Sequence, residues 1–241
     1  MFVKSRAVVL NALKYGDNQL IVDMLTEQTG RLSFLLNMPK TARGKLKRQL
    51  FQPLTLLMIE FDHRQQARLQ RLRDVRLEMP YVSVPFDAGK LSLALFLSEF
   101  LTYATRGEQR NEALFGYVSS SLQWLDATSR PAANFHLVFL MRLSQFIGFY
   151  PNLEGYREGS FFDLRSAEFS SSQPLHSDFV EPGEAAYIER LMRMHYETMH
   201  LFLFTRAQRN RILDHLIAYY RLHVPSFPEL RSLPVVQELF V

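Results

Sequence analysis

The sequence predicts an α+β protein with two domains, a small N-terminal β-barrel followed by an all-α helical bundle that carries an irregular insert. Residues 1–79 contain short apolar runs separated by turn residues, whereas residues 80–241 contain apolar residues at helical spacing. The charge changes at the same place: residues 1–79 carry 14 Lys and Arg against 7 Asp and Glu, and residues 80–241 carry 14 against 17. A domain boundary is therefore predicted near Pro80, with a basic domain before it.

Five apolar runs predict the strands of the barrel. Turn residues separate several of them, at Gly16-Asp17-Asn18, Thr29-Gly30 and Asp62-His63. The runs are Ala7 to Leu10, Leu20 to Leu25, Leu32 to Leu36, Leu54 to Phe61 and Leu69 to Leu77. Five short strands fit a small barrel, of which the OB-fold is one common type. A short helix within residues 40–52 is predicted to join the third strand to the fourth.

Helical spacing begins after Asp87. The segments Leu91 to Leu101 and Phe135 to Ile147 are apolar nearly all round, so both are expected deep inside a bundle. More amphipathic helices are predicted around them, at Glu112 to Leu125, Glu184 to Met199 and Arg209 to Leu222. Residues 150–181 form the irregular insert, with one strand-like segment at Phe161 to Leu164.

The composition excludes several classes of protein. Cysteine is absent, which excludes disulfides, thiolate nucleophiles, iron–sulfur clusters and Cys-ligated zinc. Motifs of the Walker, Rossmann, Gly-x-Ser-x-Gly and His-Glu-x-x-His types are also absent. No apolar run approaches the roughly 18 residues of a membrane span, and no secretory signal is recognisable. These observations favour a cytoplasmic binding protein with no catalytic residues, no metal and no cofactor.

A basic loop is the strongest positive signal. Between Glu27 and Glu60 there is no acidic residue, but there are six cations: Arg31, Lys40, Arg43, Lys45, Lys47 and Arg48. Such a run by itself is more typical of a solvated linker. Its placement on a barrel of OB size favours the other interpretation, a site that binds phosphate backbones.

Arginines near the fifth strand support this interpretation. Arg71 and Arg73 are expected on one face of that strand, and Arg68 and Arg76 on the other, with Arg64 shortly before it. Phe34, Phe51 and Phe61 lie near these cations in the sequence and could stack on bases. Each sits in an apolar pattern, however, which predicts that they are core residues.

Two further sites are predicted in the helical part. Arg206, Arg209 and Arg211 cluster at the start of a helix, where cations oppose the helix dipole; an anionic partner and a solvated turn explain them equally well. Arg142 lies in an otherwise apolar helix. An ion pair with a neighbouring carboxylate is the favoured explanation, and the lip of an anion-binding pocket is the alternative.

Ordered motifs along the chain resemble the bacterial recombination mediator family RecO. The N-terminal segments are Lys14 to Val22, Leu25 to Leu32 and Gln52 to Glu60, and the C-terminal signature is Tyr220 to Leu233. Asn134 to Leu137 and Gly148 to Leu153 extend the likeness over almost the whole chain.

The resemblance implies a function in DNA repair. It implies binding of single- and double-stranded DNA, strand annealing, and cooperation with RecR to load RecA onto strands coated by the single-strand DNA-binding protein (SSB). Arg142 is the candidate receptor for the acidic SSB tail. Many family members carry a four-cysteine zinc site in the region corresponding to residues 150–181; here that region is expected to be held by packing of Phe161, Phe162, Leu164 and Phe169. A metal-dependent nucleic-acid enzyme and an RNA-binding OB protein remain as alternatives.

Overall fold

The structure is a computed structural model that describes residues 1–38, 41 and 48–239. The predicted helix within residues 40–52 lies largely outside the described residues. Contacts divide the chain into two compact units, Met1–Thr128 and Ser129–Val241. Strands give way to helices near Pro80, but the first two helices group with the strands. The domain boundary near Pro80 stays a prediction.

Five strands form the barrel of the first unit. They are β1 (Phe2–Tyr15), β2 (Gln19–Thr26), β3 (Gly30–Asn37), β4 (Leu56–Asp62) and β5 (Leu72–Leu77). Their order is β3-β2-β1-β4-β5, with every neighbouring pair antiparallel. A parallel bridge between Phe34 and Gln70 joins the two ends of the sheet, through Leu35 N–H to Gln70 O at 2.9 Å and Gln70 N–H to Ser33 O at 2.8 Å. The sheet is therefore closed, as in an OB-fold.

The inner face of the barrel is made by alternate residues of each strand. Val22, Met24, Phe34 and Ile59 are fully buried in one apolar cluster. Phe34 and Phe61 meet edge to face, with ring centroids 5.1 Å apart. The prediction that Phe34, Phe51 and Phe61 belong to the core is confirmed, since all three are buried.

Strand β1 is much longer than the predicted Ala7 to Leu10. Its first half alternates, with Val3 and Ser5 buried while Lys4 and Arg6 point away from the core. Lys4 lies opposite Glu60 of β4, and their charged groups are 3.4 Å apart. Polar residues on the outer face of a strand interrupt an apolar run without ending the strand, so the apolar run predicted a strand that was too short.

Gly30 allows the barrel to pack closely against the backbone of Glu108 and Gln109. Its φ is +74°, and a Cβ at this position would lie 2.4 Å from the backbone of Glu108 and Gln109. The next residue, Arg31, donates its backbone N–H to Glu108 O at 3.0 Å. Only glycine satisfies both the conformation and the close contact.

Two helices complete the first unit, α1 (Ala88–Ala104) and α2 (Glu112–Ala127). Helix α1 packs against β1, and the Ser98 hydroxyl donates to Leu10 O. The expectation that Leu91 to Leu101 lies deep inside the helical bundle was therefore wrong, because one side of α1 covers the barrel. Leu91 and Leu95 of α1 remain partly exposed, at 41% and 48%.

The second unit contains α3 (Phe135–Phe146), α4 (Pro182–Arg193), α5 (Arg206–His223) and α6 (Leu233–Glu238), with a 3-10 turn at Met199–Leu201. Helices α3 and α5 share the core, where the Tyr220 hydroxyl donates to Leu140 O at 2.7 Å. Among the described residues, no helix is long and apolar enough to cross a membrane. Helix α4 ends at Arg193, earlier than the predicted Met199.

The insert is more regular than predicted. It contains a three-stranded antiparallel sheet of order β7-β6-β8, made by β6 (Phe161–Asp163), β7 (Glu168–Ser170) and β8 (Phe179–Val180). The strand predicted at Phe161 to Leu164 is confirmed. Phe162, Leu164 and Phe169 are buried, and the rings of Phe162 and Phe169 are 4.9 Å apart. Phe161 contributes from a half-buried position against Phe179.

Candidate nucleic-acid interface

Five arginines lie on or just before β5, and we call them the basic edge: Arg64, Arg68, Arg71, Arg73 and Arg76. All five side chains are exposed, and Asp74 is the only acidic residue between residues 63 and 77. Within the described part of the chain, no hydrogen bond or ion pair engages the guanidinium groups of Arg64, Arg68, Arg71 and Arg76. These four cations are therefore available to an anionic partner.

Arg73 differs from the other four. Its Nε donates to Asp62 Oδ2 at 2.6 Å, and its guanidinium lies 5.7 Å from the ring centroid of Phe2. The predicted alternation of arginines between two faces of the strand is not what the structure shows, because the register shifts between Glu60 and Phe61. Leu72 and Val75 turn towards the core, and the arginines of β5 share the solvent side.

The predicted basic loop is only partly described. Lys40, Arg43, Lys45 and Lys47 lie outside the described residues, so their proposed contacts with DNA stay a prediction. Arg48 is described and exposed.

The Arg31 side chain is largely buried and is paired within the protein. Its side chain is 13% exposed, Nη2 lies 3.3 Å from Asp23 Oδ2, and Nη1 donates to Thr102 O. Burial lowers its pKa, while Asp23 acts in the opposite direction. These contacts join β2 and β3 to α1 and occupy the guanidinium that was predicted to bind DNA.

A row of side chains on the outer face of the barrel was missed from the sequence. Tyr15 pairs with Gln19 across β1 and β2, and Gln19 pairs with Asn37 across β2 and β3. Residues that are directly opposite on neighbouring strands point to the same face. Tyr15 is 55% exposed. The signal that would have found this row is the alternation that begins at Gln19, because Leu20 and Val22 are buried and Gln19 must face the other way.

A polar cavity of about 260 Å³ adjoins this row. Its lining includes Gln19, Asn37 and Arg71, together with leucines of β3 and β5. A larger cavity of about 1000 Å³ lies between β5 and α1, and its described lining is mainly apolar, with residues such as Leu77, Leu91 and Leu95. An apolar lining does not suit a phosphate backbone, so the smaller polar cavity is the better candidate for a nucleic-acid contact.

The predicted arginine cluster in the second unit lies at the start of α5, where Thr205 and Gln208 form a capping box. Arg206 Nε donates to Gln237 O at 2.9 Å, Arg209 Nη1 donates to Phe204 O at 2.6 Å, and Arg211 pairs with Glu184. Each of these cations has a partner within the protein. Arg206 and Arg211 remain exposed, and their contact with DNA stays a prediction.

Arg142 closes the end of a neighbouring helix. Its Nε and Nη2 donate to Met194 O at 3.1 and 2.7 Å, and Nη2 lies 2.9 Å from His195 Nδ1. The predicted partner was a carboxylate, whereas the observed partner is the carbonyl at the C-terminal end of α4. This contact explains why α4 stops at Arg193: Met194 has extended backbone and turns its carbonyl towards Arg142.

Within the described ranges, no group of three or more His, Asp or Glu side chains is arranged to hold a metal ion. His136 is buried in α3, and burial, followed by the charge of Arg209, lowers its pKa to about 3. A histidine in this position is neutral at physiological pH.

The closed barrel and its basic edge define an OB-fold protein with the kind of surface that binds nucleic acid. The family model "Recombination protein O N terminal" matches residues 1–81, and "Recombination protein O C terminal" matches residues 85–234. The chain belongs to the RecO family of DNA repair proteins.

Relatives that match the whole length of the chain support its membership of this family. The chain is 48% identical to the DNA repair protein RecO of Phocaeicola vulgatus over 240 residues, and 48% identical to that of Bacteroides fragilis over 241 residues. It is 31% identical to that of Flavobacterium psychrophilum over 241 residues. In each comparison 100% of both chains is covered.

Proposed function

We propose that this protein binds single- and double-stranded DNA, anneals complementary strands and, together with RecR, loads RecA onto SSB-coated single strands in the cytoplasm at the nucleoid. The observation that carries the proposal is the basic edge, on which four exposed guanidinium groups have no partner among the described residues. Membership of a family of DNA repair proteins supports DNA as the polyanion.

The proposed mechanism is electrostatic rather than catalytic. Arginines that contact phosphates displace condensed counterions, which favours binding without regard to sequence. When two strands lie on one basic surface, their mutual repulsion is reduced and they stay close for long enough to pair. Base pairing is itself favourable, so annealing needs no nucleotide hydrolysis and no metal ion.

An annealing assay tests this function. Two complementary oligonucleotides with a donor and an acceptor dye are mixed with the protein in the presence of chelator and without nucleotide. We expect annealing to be faster with the protein than without it. Adding chelator is expected to leave the melting temperature of the protein unchanged, and elemental analysis of the purified protein is expected to find well under one zinc per chain. Loss of annealing in chelator, or cleavage of either strand, favours the metal-dependent enzyme. Stronger competition by RNA than by DNA favours an RNA-binding protein.

A further inference from the structure

We propose that a turn in the second unit inserts two leucine side chains into the base stack of duplex DNA. We call it the leucine turn and define it as Leu201, Phe202, Leu203 and Phe204, which lead from the 3-10 turn into α5. The inference rests on the proposed DNA binding and adds to it, because the basic edge is assigned to phosphates, whereas the leucine turn is assigned to bases.

Side chains of the leucine turn alternate between exposed and covered positions. Leu201 and Leu203 are 68% and 90% exposed, whereas Phe204 is buried and Phe202 is half-buried. Phe202 has extended backbone, so the residues on either side of it point the same way. The two leucines therefore stand together on the solvent side. A single exposed leucine, such as Leu175, is common on protein surfaces and needs no explanation.

Hydrogen bonds fix the shape of the leucine turn. Asn134 is buried just before α3, and its Nδ2 donates to Met199 O at 3.0 Å and to Phe202 O at 2.9 Å. Phe204 N–H donates to Phe202 O at 3.0 Å, and Phe204 O accepts from Arg209 Nη1 at 2.6 Å. The leucines are thus held in place before any partner binds, which lowers the entropic cost of binding.

Arginines follow the leucine turn directly. Three of them lie before the next acidic residue of the sequence, Asp214, and they are Arg206, Arg209 and Arg211. Arg206 is exposed, and its Nε donates to Gln237 O. Among the described residues nothing engages its two Nη groups, which remain for an anion. Glu197 is the nearest acidic residue on the other side of the turn. A negatively charged partner is therefore favoured on the side that leads into α5.

Duplex DNA combines the two features that this surface needs. Its partner must offer negative charge to Arg206 and an apolar surface to Leu201 and Leu203. In DNA the phosphates lie beside the stacked bases, and proteins that bind the minor groove frequently insert leucine or another apolar side chain between base steps. An anionic lipid surface has the same two features, but membership of a family of DNA repair proteins favours DNA.

Insertion of the leucines connects this turn to annealing. An apolar side chain between two base pairs partly unstacks them and kinks the duplex. The bases at that step are then more accessible to a complementary strand. The energy that unstacking costs is offset by contacts of the leucines with the bases and of Arg206 with a phosphate.

The test uses a duplex that contains 2-aminopurine, a base whose fluorescence rises when it is unstacked. We expect saturating wild-type protein to raise this fluorescence severalfold. The double variant Leu201→Ala, Leu203→Ala is expected to remove the rise and to weaken binding of a dye-labelled duplex by about tenfold, measured by anisotropy. The double variant Leu201→Met, Leu203→Met keeps long apolar side chains and is expected to behave like the wild type.

A matched control removes two exposed leucines of the same unit that lie outside the turn. It is the double variant Leu175→Ala, Leu222→Ala, which is expected to keep both the fluorescence rise and the affinity of the wild type. Because all four leucines are exposed, circular dichroism is expected to show the wild-type fold in every variant.

Each other outcome overturns a defined part of the proposal. If the wild type binds the duplex without raising the fluorescence, or if the double alanine variant raises it equally, the leucine turn does not enter the base stack, while the proposed function stands. If the control loses the rise as well, the effect is not specific to the turn and the inference is wrong. If the wild type binds no duplex, the proposed function fails and the inference fails with it.

Vesicles of phosphatidylglycerol test the other occupant. We expect no sedimentation of the protein with these vesicles. Sedimentation that depends on Leu201 and Leu203, together with 2-aminopurine fluorescence that does not depend on them, would assign the leucine turn to a lipid surface and overturn the inference.

Discussion

Arg31 and Asp23 form an ion pair across neighbouring strands of the barrel, with Nη2 of the arginine 3.3 Å from Oδ2 of the aspartate. The aspartate is held by a second donor, because the Ser33 hydroxyl reaches Oδ1. The arginine also donates to Thr102 O on α1. These contacts link the helix to the barrel in a place where both charges are largely removed from water, so loss of one partner leaves the other as an uncompensated, partly buried charge.

Replacement of Arg31 by glutamine is expected to destabilise the protein. It leaves Asp23 partly buried without its cation and Thr102 O without its donor, which costs about 2 kcal/mol in the free energy of unfolding. Denaturant unfolding followed by circular dichroism measures the change. Arg71→Gln is the matched control, since Arg71 is exposed and is expected to change DNA binding but not stability. Equal stability of Arg31→Gln and Arg71→Gln contradicts the structural role of Arg31.

Reversal of the charge at Arg142 is expected to weaken the binding of an acidic SSB-tail peptide by more than tenfold, about 1.4 kcal/mol, because attraction in a partly desolvated site becomes repulsion. A fluorescence titration of Arg142→Glu with the labelled peptide measures this. Arg142→Lys keeps the charge and is expected to retain most of the affinity, although lysine lacks the fork that now holds Met194 O. Wild-type affinity in Arg142→Glu would place the tail elsewhere and leave Arg142 as a helix cap only.

His136 is expected to make the protein less stable in mild acid. The unfolded chain protonates this side chain near the ordinary pKa of about 6.5, but the folded protein does not do so until the pH falls to about 3. Stability due to the neutral histidine is therefore lost as the pH falls below 6.5, by about 2 kcal/mol between pH 7 and pH 5.

Thermal or denaturant unfolding of His136→Gln across this pH range tests the assignment. The variant is expected to show a flatter dependence of the free energy of unfolding on pH than the wild type, whatever its stability at pH 7. Asp126, Asp163 and Glu184 also have lowered pKa values in the folded protein. These carboxylates change the free energy of unfolding mainly at lower pH, where they begin to protonate. A parallel pair of curves between pH 7 and pH 5 would show that His136 is not the group responsible.

The basic loop is expected to contribute to DNA affinity independently of the basic edge. Replacement of Lys40, Arg43, Lys45, Lys47 and Arg48 by alanine is expected to weaken DNA binding severely, because five cations are removed from one short segment. Binding of labelled DNA at one fixed salt concentration measures the effect, with circular dichroism to show that the fold is retained. A folded fivefold variant with wild-type affinity would remove the loop from the DNA site.

The apolar pattern was sufficient to predict the barrel and most helices. Phe34 and Phe61 were assigned to the core from their neighbours in sequence, because burial of apolar residues follows the local period. The ends of elements were less predictable. The C-terminal end of α4 depends on Arg142, which is distant in sequence, and a contact of this kind leaves no trace in local periodicity.

The candidate site was predictable in charge but not in detail. Clustered arginines were visible in the sequence, but whether a given guanidinium is free or engaged depends on tertiary neighbours. Arg31 and Arg71 look alike in sequence, yet one is paired with Asp23 and the other is exposed. Tyr15 was missed because its row with Gln19 and Asn37 exists only once the three strands are in register.

The salt dependence of DNA binding tests the central claim, that the basic edge contacts phosphates. The fourfold variant Arg64→Gln, Arg68→Gln, Arg71→Gln and Arg76→Gln is compared with a control in which four exposed arginines of the second unit are changed: Arg157→Gln, Arg165→Gln, Arg190→Gln and Arg193→Gln. Both variants carry four fewer positive charges than the wild type. For duplex DNA, each phosphate that the protein no longer neutralises reduces the magnitude of the log–log slope by about 0.9.

We expect the magnitude of the slope of the basic-edge variant to be smaller than that of the wild type by about 3.6 units, and the slope of the control to be unchanged. A basic-edge variant that folds and keeps the wild-type slope would contradict the claim.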